Sequence, residues 1–132
     1  MVGGMKVAPS LMEEIQATFS LMDVRIIYGM TETSTGSFMT AATGKALPHV
    51  RAKIVDSQNY ILPRGSRGEL CISGYLLQKG YYKNEEKTAE ALVRDEKGVV
   101  WIQTGDEVSV DEEGYCRIKG RVKDIIIRGQ LA

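Results

Sequence analysis

Apolar residues at Leu11, Met12, Ile15, Phe19 and Met22 recur at three- and four-residue spacing, which predicts a helix from Ser10 to about Leu21 with one apolar face. Ser10 and Glu13 stand in a capping-box pattern, where hydroxyl and carboxylate each satisfy an otherwise unpaired N–H of the first turn. Val2 leads into Gly3-Gly4, a strand end, and Val24-Arg25-Ile26-Ile27-Tyr28 is a short apolar run closed by Gly29. Strand, helix and strand in this order predict a parallel pair. The segment after Tyr28 then opens into the crevice at the carboxyl ends of the strands. Residues 31–44 are rich in Thr, Ser, Gly and Ala, have no sustained period and read as a loop.

Beyond Ala46 the period drops to two. Val50, Ala52 and Ile54 alternate with Arg51 and Lys53, predicting a strand over 50–55, and further strands are predicted over 69–73, 99–103, 107–110 and 115–119. Asp111-Glu112-Glu113-Gly114 reads as the hairpin turn between the last pair. A short helix over 84–94 is predicted to interrupt them, capped by Asn84, with Ala89, Leu92 and Val93 inward. Ile125-Ile126-Ile127 reads as a strand buried on both faces. The expected fold class is α+β: a short α/β remnant, then a small, mostly antiparallel sheet or barrel.

Composition narrows the function. A chain of 132 residues with 43% apolar and 26% charged positions is globular and long enough for one core. Its 17 basic and 17 acidic residues cancel, which argues against a nucleic-acid partner. No apolar run approaches the length of a membrane span. Met1 to Pro9 has neither the charged region nor the apolar core of a signal peptide, so no targeting segment is expected there and localisation stays open. Cys71 and Cys116 are too few for a disulfide framework or a thiolate zinc site and read as small buried residues. The single histidine, His49, is expected to be structural or solvent-facing.

Candidate chemistry gathers in Tyr28-Gly29-Met30-Thr31-Glu32, Gly68-Glu69-Leu70, Thr104-Gly105-Asp106 and Gly120-Arg121-Val122-Lys123-Asp124. Each has a plain reading by itself: a strand end, a turn, a solvated corner. In this order and spacing they resemble the adenylate-forming enzymes, which include acyl-CoA synthetases, coumarate–CoA ligases, beetle luciferases and peptide-synthetase adenylation domains. Gly44-Lys45-Ala46-Leu47-Pro48, Gly68 to Gly74, Gly80-Tyr81-Tyr82-Lys83-Asn84 with Thr88-Ala89, and Trp101 to Asp106 extend the resemblance from about Gly3 to Gly129.

The resemblance implies activation of a carboxylic acid by ATP to an acyl-adenylate, then transfer to CoA. The acid it implies is a fatty acid. It implies that Tyr28 stacks on adenine, with Gly3, Gly4, Gly29 and Met30 close to the nucleotide. It gives Thr31 to the α-phosphate, Glu32 to Mg²⁺, Asp106 to the ribose hydroxyls and Arg121 to ribose or phosphate. Lys123 falls at the hinge about which a C-terminal domain rotates. The implied division is 1–42, the end of the α/β nucleotide-binding subdomain; 43–119, an antiparallel β-subdomain shaped as a distorted barrel; and 120–132, the hinge and the start of a further domain. The family's Ser/Thr/Gly phosphate loop is not in this sequence, and Gly129-Gln130 stands where acyl-CoA ligases have Gly-Gly. The chain therefore reads as a fragment of such a ligase, inactive alone. The alternative reading is a short binding or interaction module without catalysis.

Overall fold

The structure is a computed structural model and describes residues 2–3, 8–20, 24–34, 36–40 and 44–122. The expectations on Gly4, Met22, Lys123, the run 125–127 and the boundary at 42–43 fall outside the described residues.

Strand β1 (Val2–Gly3) lies parallel to β2 (Ile26–Tyr28), with Val2 opposite Ile26 and Gly3 opposite Ile27, and helix α1 (Pro9–Thr18) connects them. The helix starts two residues earlier than its capping pattern suggested: Ala8, not Ser10, is the cap, and it makes no side-chain cap bond. Pro9 explains the shift, because proline at the first helical position lacks the N–H that would otherwise need a partner. The helix also stops at Thr18, short of Leu21, where Phe19 N–H bonds Ile15 O at 2.9 Å. Of its expected face Met12 is buried, but Leu11 and Phe19 remain about half exposed.

The stretch 31–44 is not simply a loop. A single turn of 3₁₀ helix (Thr31–Thr33) is followed by β3 (Phe38–Thr40), antiparallel to β2, and β4 (Lys45–Ala46) pairs with β3 in turn. Phe38 faces Tyr28 across the ladder and is fully buried. Phe38 and Met39 stand side by side among Thr, Ser and Gly, which leaves no period to detect; the strand exists because β2 supplies a partner.

The second sheet is antiparallel. Strand β6 (Arg67–Ser73) lies between β5 (Arg51–Val55) and β8 (Val100–Val110). The other edge of β8 takes β7 (Leu92–Arg94) along its first part and β9 (Cys116–Arg121) along its second. The strands expected over 99–103 and 107–110 are thus one strand, and Thr104-Gly105-Asp106 is not a turn. Cys71 pairs with Gln103 and Glu69 with Glu107, so residues 104, 105 and 106 all face Leu70, a bulge in which Gly105 takes φ +71°. The bulge adds an even number of residues, so the alternation survives it: Ile102, Thr104, Asp106 and Val108 are all buried on one face.

Helix α2 (Glu85–Ala91) starts at Asn84 as expected, with Lys87 N–H donating to Asn84 Oδ1 at 3.0 Å. It ends at Ala91, and 92–94 become β7 by pairing with 100–102. Ala89 and Val93 are consequently exposed, against expectation, and Leu92 alone of the three packs on the core. The 111–114 turn closes the β8–β9 hairpin, with Gly114 at φ +88° and Asp111 Oδ1 accepting from Tyr115 N–H at 2.7 Å. Phe38 of the first sheet packs with Ile54, Leu70, Ile72, Ile102, Val108 and Cys116 of the second, so both sheets share a core.

Candidate functional site

The bulge in β8 sets a carboxylate into a buried face. Thr104 Oγ1 donates to Leu70 O at 2.8 Å and accepts from Asp106 N–H at 3.2 Å, while Gly105 N–H donates to Glu69 Oε1 at 2.9 Å. These bonds replace the ladder bonds that the bulge breaks and fix the backbone on both sides of Gly105. Asp106, 9% exposed, is then gripped from two directions. Tyr28, at the carboxyl end of β2, donates its hydroxyl to Oδ2 at 2.6 Å. Arg121, opposite Asp106 in the β8–β9 register, brings Nε to within 2.9 Å of Oδ1.

This arrangement settles the protonation of the phenol. Burial, then the hydrogen bond to Asp106 and its charge, hold Tyr28 well above the ordinary tyrosine range, so it stays a donor. Its ring meets Phe38 edge-on, with centroids 6.0 Å apart. The Arg121 side chain is 64% exposed against 12% for that of Asp106, so its guanidinium keeps N–H groups facing solvent.

A second acidic group stands on the turn after Tyr28. Met30 N–H donates to Thr33 Oγ1 and that hydroxyl donates to Met30 O, both at 3.1 Å, which closes the Thr31–Thr33 turn around a fully buried Thr33. The turn is tied to the segment after β6 by Ser34 Oγ to Leu76 O at 2.9 Å and Gln78 N–H to Glu32 O at 2.9 Å. Tyr81 completes the contact by donating its hydroxyl to Glu32 Oε1 at 2.6 Å. That bond to a carboxylate raises the Tyr81 phenol above its ordinary range. Thr31 is exposed.

Of the residues singled out in the sequence, the fold brings Tyr28, Asp106 and Arg121 into contact, from three separate motifs. Gly29 and Met30 follow Tyr28 directly, and Gly3 lies on the strand beside Ile27. Thr31 and Glu32 sit on the adjoining turn and share no hydrogen bond with Asp106 or Arg121. Gly4 and Lys123 lie outside the described residues. Sequence reasoning missed Tyr81, Thr104 and Glu69 as supports. Tyr81 had a visible signal, an aromatic residue directly after Gly80 in a matched block; the other two depend on the register of β6 against β8.

The AMP-binding enzyme family model matches residues 1–82 of the chain. An acyl-CoA ligase of Aspergillus fumigatus is 49% identical over 138 aligned positions, covering 97% of this chain and 23% of the relative. A mitochondrial medium-chain acyl-CoA ligase of Rattus norvegicus is 36% identical over 139 positions, covering 97% and 22%. Among solved structures, a long-chain-fatty-acid–CoA ligase of Archaeoglobus fulgidus superposes with a TM-score of 0.83 at 28% identity, over 98% of this chain and 29% of that one. Apo MatB from Rhodopseudomonas palustris superposes at 0.78 with 33% identity, over 92% and 25%. The chain spans about a quarter of the length of these relatives.

Proposed function

The chain belongs to the AMP-binding enzyme family, and from that premise we propose that it carries the nucleoside side of the ATP site of an acyl-CoA ligase acting on a carboxylic acid, a fatty acid by resemblance. The observation that supports this most is the double grip on Asp106 by Tyr28 and Arg121. Each carboxylate oxygen keeps a lone pair beyond those two bonds, enough to accept from the two ribose hydroxyls. Tyr28 and Arg121 set the rotamer in advance, so no reorganisation is needed when nucleotide arrives. The Tyr28 ring lies beside the adenine, and the glycines at 3, 4 and 29 let backbone approach it closely, with Met30 as a wall.

Toward the phosphates, the exposed Thr31 hydroxyl faces the α-phosphate, and Arg121 reaches ribose or phosphate with its solvent-facing N–H groups. Glu32 fits a magnesium ion in the chemistry of its donor: one oxygen is held by Tyr81, which leaves the other for a hard cation that takes its remaining ligands from phosphate. When bound, that ion neutralises charge developing on the phosphates. Lys123 serves as the hinge between adenylate and thioester formation, with CoA as acceptor. Residues 1–42 and 43–119 act as two subdomains, joined at 120–132 to a further domain.

Titrating AMP into the isotope-labelled chain tests this reading. Amide shifts at Tyr28, Asp106 and Arg121 are expected, with a roughly ten- to a hundredfold weaker affinity for Asp106→Asn, the loss of charge-assisted hydrogen bonds. Absence of any shift at these residues at saturating AMP refutes it. The chain by itself is expected to release no pyrophosphate from ATP and any acid, since it has no phosphate loop to position the leaving group. A longer protein carrying this sequence is expected to do so, and to lose thioester formation before adenylation on Lys123→Pro.

A further inference from the structure

A cleft of about 730 Å³ opens between the start of β5, the loop after β6 and the β7–β8 turn. Its wall carries Arg51, Lys79 and Arg94 together with His49, and no aspartate or glutamate among the described residues lines it. In a chain whose 17 basic and 17 acidic residues cancel, this is a local concentration of one sign. The ion pairs among the described residues are made by Arg117 with Asp111 and by Arg121 with Asp106; Arg51, Lys79 and Arg94 make none. Arg94 is nevertheless fixed, since Nη1 donates to Gly98 O at 2.5 Å across the turn. Three cations lining one cleft with no lining counter-charge among the described residues favour an anion there.

One further feature of the same cleft suits a phosphorylated ligand. At the mouth, Tyr75 is 81% exposed, and its ring stands tilted against His49 with centroids 6.2 Å apart. An exposed aromatic face beside cations is the pairing on which bases stack.

The geometry points to a second anion site, apart from the Tyr28–Asp106–Arg121 cluster, that takes the phosphate groups of a small phosphorylated compound on Arg51, Lys79 and Arg94. It does not rest on the adenylate reading, because none of those three residues lines this cleft.

Amide shifts of the whole chain, followed during separate titrations with inorganic pyrophosphate, adenosine 3′,5′-bisphosphate and AMP, test it. Shifts are expected over 73–79 and 94–100 with the first two compounds. Replacing both Arg51 and Lys79 by Gln is expected to weaken them roughly tenfold or more, while Asp106→Asn leaves them unchanged. Arg51 and Lys79 are both exposed, and an otherwise superimposable spectrum confirms folding. Tighter binding of the bisphosphate than of pyrophosphate, abolished by Tyr75→Ala, assigns a nucleotide; equal binding assigns bare phosphate, and both uphold the site. Shifts that are absent, survive the double substitution, or scatter over distant lysines such as Lys45 and Lys119 overturn it.

Discussion

Tyr28 and Asp106, 78 residues apart in sequence, are joined by a 2.6 Å hydrogen bond that ties the first sheet to the bulge of the second. Removing the phenol oxygen leaves the Asp106 carboxylate with Arg121 alone. Tyr28→Phe keeps the ring and its contact with Phe38, so it isolates the bond. The expected cost is about 1.5 kcal/mol, the lower end for a bond to a charged group because one partner remains. Urea unfolding measures it, and an unchanged midpoint shows the bond to be dispensable.

Stability is expected to fall on the alkaline side. Burial, with Glu69 and Asp106 charges adding to it respectively, pushes the Cys71 and Cys116 thiols up to about 11, and Tyr28 lies higher still. In each case the folded chain holds a proton that the unfolded chain releases earlier. The stabilisation is therefore complete below the unfolded values of roughly 8.5 for thiol and 10 for phenol, and is lost as pH rises above them. Melting curves between pH 8 and 11 by roughly half-unit steps should steepen downward above pH 9, and less so for Tyr28→Phe. The same burial predicts that neither thiol reacts with a thiol reagent at neutral pH until the chain is unfolded.

Thr104→Val tests the bulge itself. The substitution preserves shape but strands Leu70 C=O and Asp106 N–H, both of which Thr104 Oγ1 now serves. A loss of about 1–3 kcal/mol is expected, the cost of unpaired buried polar groups. Because the same hydroxyl fixes the Asp106 backbone, AMP affinity should drop with stability, whereas a substitution that acts through packing alone would leave affinity intact.

Two glycines should fail for opposite reasons. A Cβ at Gly105 would meet nothing within 4 Å, but φ is +71°, so Gly105→Ala is expected to cost about 1 kcal/mol through torsion alone, and Gly105→Asn less. A Cβ at Gly68 would lie 2.7 Å from Leu62 Cδ1 and against Val55 O, a backbone atom that cannot move aside. Gly68→Ala should therefore be the more damaging of the pair; thermal melts of both variants decide the order.

Amide exchange is expected to be slowest over 69–73 and slower over 116–119 than over 26–28. Strand β6 is paired on both sides and its residues 70–73 are buried, whereas the strands of the first sheet are two or three residues long. Equal or reversed protection would argue against treating the segments before and after residue 43 as separate subdomains.

What the sequence determined by itself was local or cumulative. The Asn84 cap and the 111–114 turn rest on side chains within a few residues of the backbone they organise, so their spacing is enough. The run 50–55 foretold the strand β5 but not its faces, since Ala52 is exposed while Ile54 and Val55 are both buried. The order of the Tyr28–Glu32, Gly68–Leu70, Thr104–Asp106 and Gly120–Asp124 motifs is likewise readable along the chain, and it pointed to the family. The tertiary structure alone decided that 104–106 continues a strand, that 38–40 forms one, and that the second helix yields at Ala91. In each case the winning hydrogen bonds come from another strand, far along the chain for 104–106 and across a turn or loop for 92–94 and 38–40, and local turn or helix preferences are weaker than a ladder. The tie between Glu32 and Tyr81 belongs to the same class. Nothing in either residue's neighbourhood specifies the other, and only the packing of the 31–34 turn on 76–81 brings carboxylate and phenol within reach.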